Sequence, residues 1–268
     1  PKIIGWLVGA GSLATLFAYL GIIVGWQKFG LSFNFLYLSS GGLTALIALF
    51  CLFFFPNFKT ETKQITKLVM RRRYWLYYAL QFLSGARRQI FVVFAGFMMV
   101  EKFGFQVHQL TALFLINLII NIFVAPIFGY FIAHFGERRA LLIEYSGLIC
   151  VFMAYGGIYL FDWGVTLAAV LFVLDHLFFG LRMALKTYFQ KISSPEDIAP
   201  TAAVAFTINH IAAVFLPVLL GLLWLVSPAI VFMAAAFLAF LSFLLALLVP
   251  RFPIIGNETL MMSETYSK

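Results

Sequence analysis

The sequence predicts an all-α membrane protein, a polytopic helical bundle of eight transmembrane helices, on three observations. Eight apolar runs lie near 3–26, 35–56, 74–100, 110–133, 140–161, 165–187, 201–226 and 229–249. Each is close to the ~20 residues that a helix needs to cross ~30 Å of hydrocarbon. The intervening loops alternate in charge. One set carries Lys2, Lys59, Lys63, Lys67, Arg71, Arg72, Arg73, Arg138, Arg139, Lys186, Lys191, Arg251 and Lys268, while the opposite set carries only Lys28 and Lys102. Composition agrees, with 63% hydrophobic and 10% charged residues, against about 25% charged in soluble domains. Short basic loops resist translocation, so both termini are expected on the cytoplasmic side of a multi-pass protein in the cell (inner) membrane.

The first run begins directly after Pro1 and is too long for a signal-peptide core. It is read as a genuine span, and upstream helices of the same protein are expected to precede it. Glycines at 5 and 9, and at 21 and 25, give it two small-residue faces that permit close helix approach. Residues 1–56 then form two transmembrane helices from the end of an N-terminal bundle. The polar stretch 57–73 holds six basic residues with Glu61, and Ile65, Leu68 and Val69 share one helical face. It reads as a basic cytoplasmic linker against anionic headgroups, either lying on the leaflet or solvated. Residues 74–250 make a six-helix C-terminal bundle and 251–268 a cytoplasmic tail. Short hairpins at Asp162-Trp163-Gly164 and Ser227-Pro228 leave no room for extramembrane domains. Ser194-Pro195-Glu196-Asp197 reads as a helix start, with a cap, a first-turn proline and acids on the positive dipole end. Cys51 and Cys150 lie in apolar spans and are expected to behave as small buried hydrophobes.

Charges within the spans are the functional candidates, because charge at membrane depth costs several kcal/mol and usually faces a cavity. Arg87 and Arg88 sit mid-span in the third run, and Asp175 mid-span in the sixth with Arg182 seven residues on. Adjacent residues point ~100° apart on a helix. The Arg88 side continues through Gln81, Ser84, Val92 and Ala95, small and polar. The Arg87 side continues through Leu80, Leu83, Phe91 and Phe94. Arg88 is therefore assigned to the cavity and Arg87 to an interhelical pair, with Asp175 expected to pair across the bundle with one of them. Arg182 is free to snorkel toward Lys186 and the headgroups instead. Asn117, Asn121, Asn209 and His210 form a second tier that either contacts a solute or hydrogen-bonds helices together. Pro126 and Pro217 are expected to kink their spans.

The loop between the fourth and fifth runs reads Gly129-Tyr-Phe-Ile-Ala-His-Phe-Gly136-Glu-Arg138-Arg139-Ala-Leu141. Gly136 supplies a tight turn, and two arginines then open a helix whose dipole opposes them. They need a carboxylate or a lipid phosphate, and Glu144 is the expected partner. At this string the chain resembles the major facilitator superfamily, whose G-x-x-x-D-R-x-G-R-R-like signature recurs in degenerate form between the eighth and ninth helices. Gly129, Gly136, Arg138 and Leu141 match that copy, with Ala133 and His134 in place of Asp and Arg. The resemblance implies a major facilitator type fold in which this chain covers helices five to twelve. It makes Gly129, Gly136, Arg138, Arg139 and Glu144 a gating motif, and the third and sixth spans the cavity-lining helices seven and ten.

Nucleotide, hydrolase, zinc and redox signatures of the kinds G-x-x-x-x-G-K-[ST], G-x-S-x-G, H-E-x-x-H and C-x-x-C are missing from the sequence. No enzyme activity, cofactor or nucleic-acid partner is expected; the +8 net charge belongs to the loops. The expected function is secondary transport of a small organic solute, anionic or zwitterionic given the intramembrane arginines. Protons would couple at Asp175, with His176 adjacent. The alternatives are efflux of amphipathic compounds, a non-transporting sensor or scaffold, and a redox subunit with His176 and His210 as axial haem ligands.

Overall fold

The computed structural model describes residues 1–30, 32–55, 68 and 70–261. Most of the basic linker at 57–73 and the tail beyond 261 lie outside the described residues. The described residues form an all-helical fold: α1 (Lys2–Phe29), α2 (Phe33–Phe54), α3 (Trp75–Gln89), α4 (Gly96–Glu101), α5 (Val107–Phe135), α6 (Glu137–Leu160), α7 (Val165–Gly180), α8 (Met183–Ile192), α9 (Ile198–Val226) and α10 (Pro228–Leu247). A 3₁₀ turn at Arg72–Tyr74 leads into α3, and a π turn at Ile90–Ala95 joins α3 to α4. Among the described residues, eight helical stretches are long and apolar enough to cross a membrane, including Arg72–Glu101 and Val165–Ile192, each built from two helices.

Helices pair mainly as α6 with α10, α1 with α5, and α3 with α9, and α7 bridges α5 and α6. The pairing of α1 with α5 follows from glycine. A Cβ on Gly5 would stand 2.5 Å from the Ala125 carbonyl oxygen, and one on Gly129 3.1 Å from the Gly5 Cα. Gly129 of the loop string is thus the seat of α1 against α5. The face at Gly21 touches nothing within 4 Å, so the two small faces are not equivalent. Gly5→Leu should wedge the helices apart at a cost of about 2 kcal/mol, the scale of overpacking. Thermal unfolding in detergent, against the silent control Gly21→Leu, checks this. The described side chains of α2 are exposed along its whole length, as suits a helix whose apolar surface faces lipid.

Two apolar clusters fill the six-helix unit. One gathers Ile90, Phe94, Phe152, Phe172, Trp224 and Phe232, and the other Tyr74, Leu80, Leu141, Tyr188, Phe189 and Ile192. Between them the chain places its interior charges: Arg87 lies between Leu80 and Ile90, Glu144 between Leu141 and Leu148, and Asp175 between Phe172 and Leu181. All three are buried.

Three local features depart from the sequence reading. The π turn adds a residue to the helical turn and shifts the face that follows it. Val92, placed on the Arg88 face by regular helical spacing, is instead exposed, while Ser84 and Ala95 are buried. The sixth span is broken: Leu181 and Arg182 form a turn between α7 and α8. Cys51 and Cys150 are exposed free thiols rather than buried hydrophobes, because their apolar surroundings face outward.

Candidate functional site

The interior charges form a layer around Arg87. Its Nη1 stands 3.6 Å from Glu144 Oε1, with both side chains wholly buried, and its guanidinium lies 4.4 Å from the centre of the Tyr145 ring. Arg87 Nε donates to the Leu83 carbonyl at 3.3 Å, one turn back on its own helix. The ion pair is too long to be a hydrogen bond, and both terminal nitrogens of Arg87 and both oxygens of Glu144 lack hydrogen-bond partners. Glu144 therefore answers the buried arginine of α3, not Arg138 or Arg139. The reason is position: Glu144 is two turns inside α6, level with Arg87, whereas Arg138 and Arg139 stand at the helix start. Asp175 faces the same arginine electrostatically, along with the Tyr155 hydroxyl, and its Oδ2 has no hydrogen-bond partner.

Arg88, one residue on, turns out of this layer into a cavity of about 630 Å³ between α3, α7, α8 and α9, closed on one side by Ile4 and Val8 of α1. Arg182 and Lys186 line the same space with His176 and His210, and no Asp or Glu does. The break at Leu181–Arg182 is what delivers Arg182. It ends α7 just beyond His176 and starts α8 with the guanidinium at the cavity wall. Arg182 and Arg88 interact as like charges. Neither forms an ion pair among the described residues; the buried Glu144 attracts Arg182 from the charge layer, but no carboxylate lines the cavity that the two cations share.

Amides organise the wall. Asn209 Nδ2 donates to the Gln81 carbonyl at 3.3 Å, Gln81 Nε2 to the Tyr77 hydroxyl at 3.0 Å, and Asn121 Nδ2 to the Ser12 hydroxyl at 2.8 Å. Gly85 makes the α3–α9 contact possible, since a Cβ there would fall 2.7 Å from the Asn209 carbonyl oxygen. His210 Nδ1 lies 2.8 Å from the Phe206 carbonyl oxygen.

Set against the sequence candidates, the cavity gathers Arg88, His176, Arg182, Asn121, Asn209 and His210. It leaves out Arg87, Asp175 and Asn117. Asn117 is buried with both amide atoms unpartnered, and Asp175 meets Arg87 rather than Arg88. Of the two arginines expected as its partner, Asp175 thus faces Arg87, and Arg88 lies in a different space. Asp175 and His176 are neighbours on α7, pointing ~100° apart, so one faces the charge layer and the other the cavity.

At the end of the bundle that carries the basic loops, the structure adds a contact that sequence reasoning missed. Asp197 accepts from Arg71 Nε at 2.8 Å, Arg73 Nη2 at 2.7 Å and the Tyr74 hydroxyl at 3.0 Å. Ser194 makes no side-chain cap; its hydroxyl accepts from Arg73. The helix-start signal placed the turn correctly, with Pro195 in its first turn, but hid a tie between the start of α3 and the start of α9. Glu137, likewise unremarked inside the loop string, is buried and holds Lys191 Nζ at 2.7 Å. Gly136 takes φ 86°, a conformation open to glycine, at the tight turn expected between α5 and α6.

No protein-family model matches the chain, and no curated protein shows significant similarity to it.

Proposed function

We propose that this chain is the membrane-embedded part of a secondary transporter of the major facilitator type. It carries a small anionic or zwitterionic organic solute through the cavity between α3, α7, α8 and α9. One observation supports the reading above the others: Arg88, Arg182 and Lys186 line a cavity that no carboxylate enters. Unpaired charge in a low-dielectric space is costly, and an anionic solute would relieve that cost each time it bound. The basic end of the bundle would face the cytoplasm, with both termini on that side. Aromatic lining from Tyr77, Phe179, Phe189 and Phe206 favours efflux of amphipathic compounds as a second reading, though the ring of cations would select against cationic ones.

The charge layer is the natural coupling element. Glu144 and Asp175 both face Arg87, so full ionisation would leave one net negative charge in a buried layer, which a single proton would neutralise. His176, on the cavity side of α7, would link that proton to the solute. Proteoliposomes holding the intact transporter test this by solute uptake at imposed pH gradients. Asp175→Asn should abolish pH-driven accumulation of an anionic solute while leaving exchange down its gradient. Accumulation equal to that of the parent would exclude coupling at Asp175.

A further inference from the structure

A second cavity, of about 850 Å³, opens where the Ala133–Arg139 string, the end of α8 and the start of the tail meet. Arg138, Arg139 and Arg251 line it, and none forms an ion pair or hydrogen bond among the described residues. The one carboxylate that lines it among the described residues, Glu137, and Glu258 of the tail are both engaged elsewhere. Glu137 is held by Lys191, and Glu258 accepts from the Gly256 backbone N–H at 3.1 Å within its own turn. The glycine before α6 offers no side-chain cap to the first-turn N–H groups, which adds positive potential at the same point.

The tail fixes the third arginine. Tyr188 donates to the Glu258 carbonyl at 2.6 Å, the Leu260 N–H bonds the Leu248 carbonyl at 3.0 Å, and Thr259 is buried. Residues 251–254 are thereby folded back against the α5–α6 turn. Exposed Phe135, Phe252 and Ile254 stand beside the guanidiniums, an arrangement suited to a boundary between headgroups and hydrocarbon.

We propose that this cleft binds a phosphate group, either the phosphodiester of an acidic phospholipid or free phosphate, between Arg138, Arg139 and Arg251. Guanidinium forks match phosphate geometry through paired N–H donors. Seating a phosphate here would clamp the tail to the start of α6.

The test uses the whole chain. In nanodiscs of phosphatidylcholine containing one-fifth phosphatidylglycerol, the number of phosphatidylglycerol molecules retained after mild detergent extraction is counted by native mass spectrometry. In a second arm, delipidated protein in neutral detergent is titrated with inorganic phosphate and followed by thermal unfolding. Arg138→Gln or Arg251→Gln should each weaken retention about fivefold. Arg72→Gln, which removes an exposed cation of the same end, should leave it unchanged. Retention with that pattern assigns the site to lipid. Stabilisation by inorganic phosphate, lost in the same variants, assigns it to free phosphate. Should Arg138→Gln misfold, Arg251→Gln on the exposed tail and the charge-keeping Arg251→Lys carry the comparison. No retention and no phosphate effect, or equal losses in Arg72→Gln, would overturn the proposal.

Discussion

Arg87→Met should destabilise the folded bundle more than Glu144→Leu does, and the double variant should recover most of the loss. Breaking a buried pair by removing one partner leaves an uncompensated charge and costs about 3–5 kcal/mol. The two single losses are not symmetric here. Without Glu144, Arg87 still faces Asp175; without Arg87, Glu144 keeps only the attraction of Arg182, and Asp175 loses the one cation that acts on it. Arg87→Met therefore belongs at or above the upper end of that range and Glu144→Leu near the lower end. In the double variant only Asp175 remains, and it can be held neutral by a proton. Unfolding of detergent-solubilised variants, followed by loss of helical circular dichroism, gives the order. Equal losses for the two singles would mean that Asp175 does not take part in the layer.

The cavity arginines should behave in the opposite way, losing affinity without losing stability. Arg88 and Arg87 repel Arg182 while Glu144 attracts it, and no carboxylate lines its cavity, so Arg182→Gln should leave the unfolding temperature nearly unchanged. Affinity for an anionic solute should fall about tenfold to a hundredfold, the range for losing one charged hydrogen bond worth ~1.5–3 kcal/mol. Thermal shifts at saturating and zero solute separate the two effects. A variant that loses stability and affinity together would make Arg182 a packing residue.

The eight membrane-length helices and the set of interior charges were legible in the sequence, because hydropathy and the cost of charge at depth act residue by residue. Arg88 and Arg182 stood out for that reason, as did the polar side chains at 121, 209 and 210. What stayed hidden depends on backbone bonding and on depth across helices. The π turn at Ile90–Ala95 occurs in apolar sequence without proline, and at the break at Leu181–Arg182 a single glycine, Gly180, is the only local mark of a helix end. Both alter which side chains share a face: Val92 left the Arg88 face, and Arg182 entered the cavity instead of snorkelling outward. Glu144 was matched to the arginines nearest in sequence, whereas its partner is the one at equal depth on another helix. Gly85 was passed over because its importance lies in the Asn209 backbone that crosses it.

The most direct measurement asks whether the cavity between α3 and α9 attracts anions, without knowing the solute. Ala202 lines that cavity and provides a site for a reporter thiol once the exposed Cys51 and Cys150 have been replaced by serine. Rates of modification of Ala202→Cys would be compared for a negatively and a positively charged methanethiosulfonate of similar size. A cavity ringed by Arg88, Arg182 and Lys186 predicts that the anionic reagent reacts faster by about tenfold or more. That preference should collapse when Arg88→Gln and Arg182→Gln are added. Equal rates, or a preference for the cationic reagent, would contradict an anion-binding cavity and with it the proposed solute class.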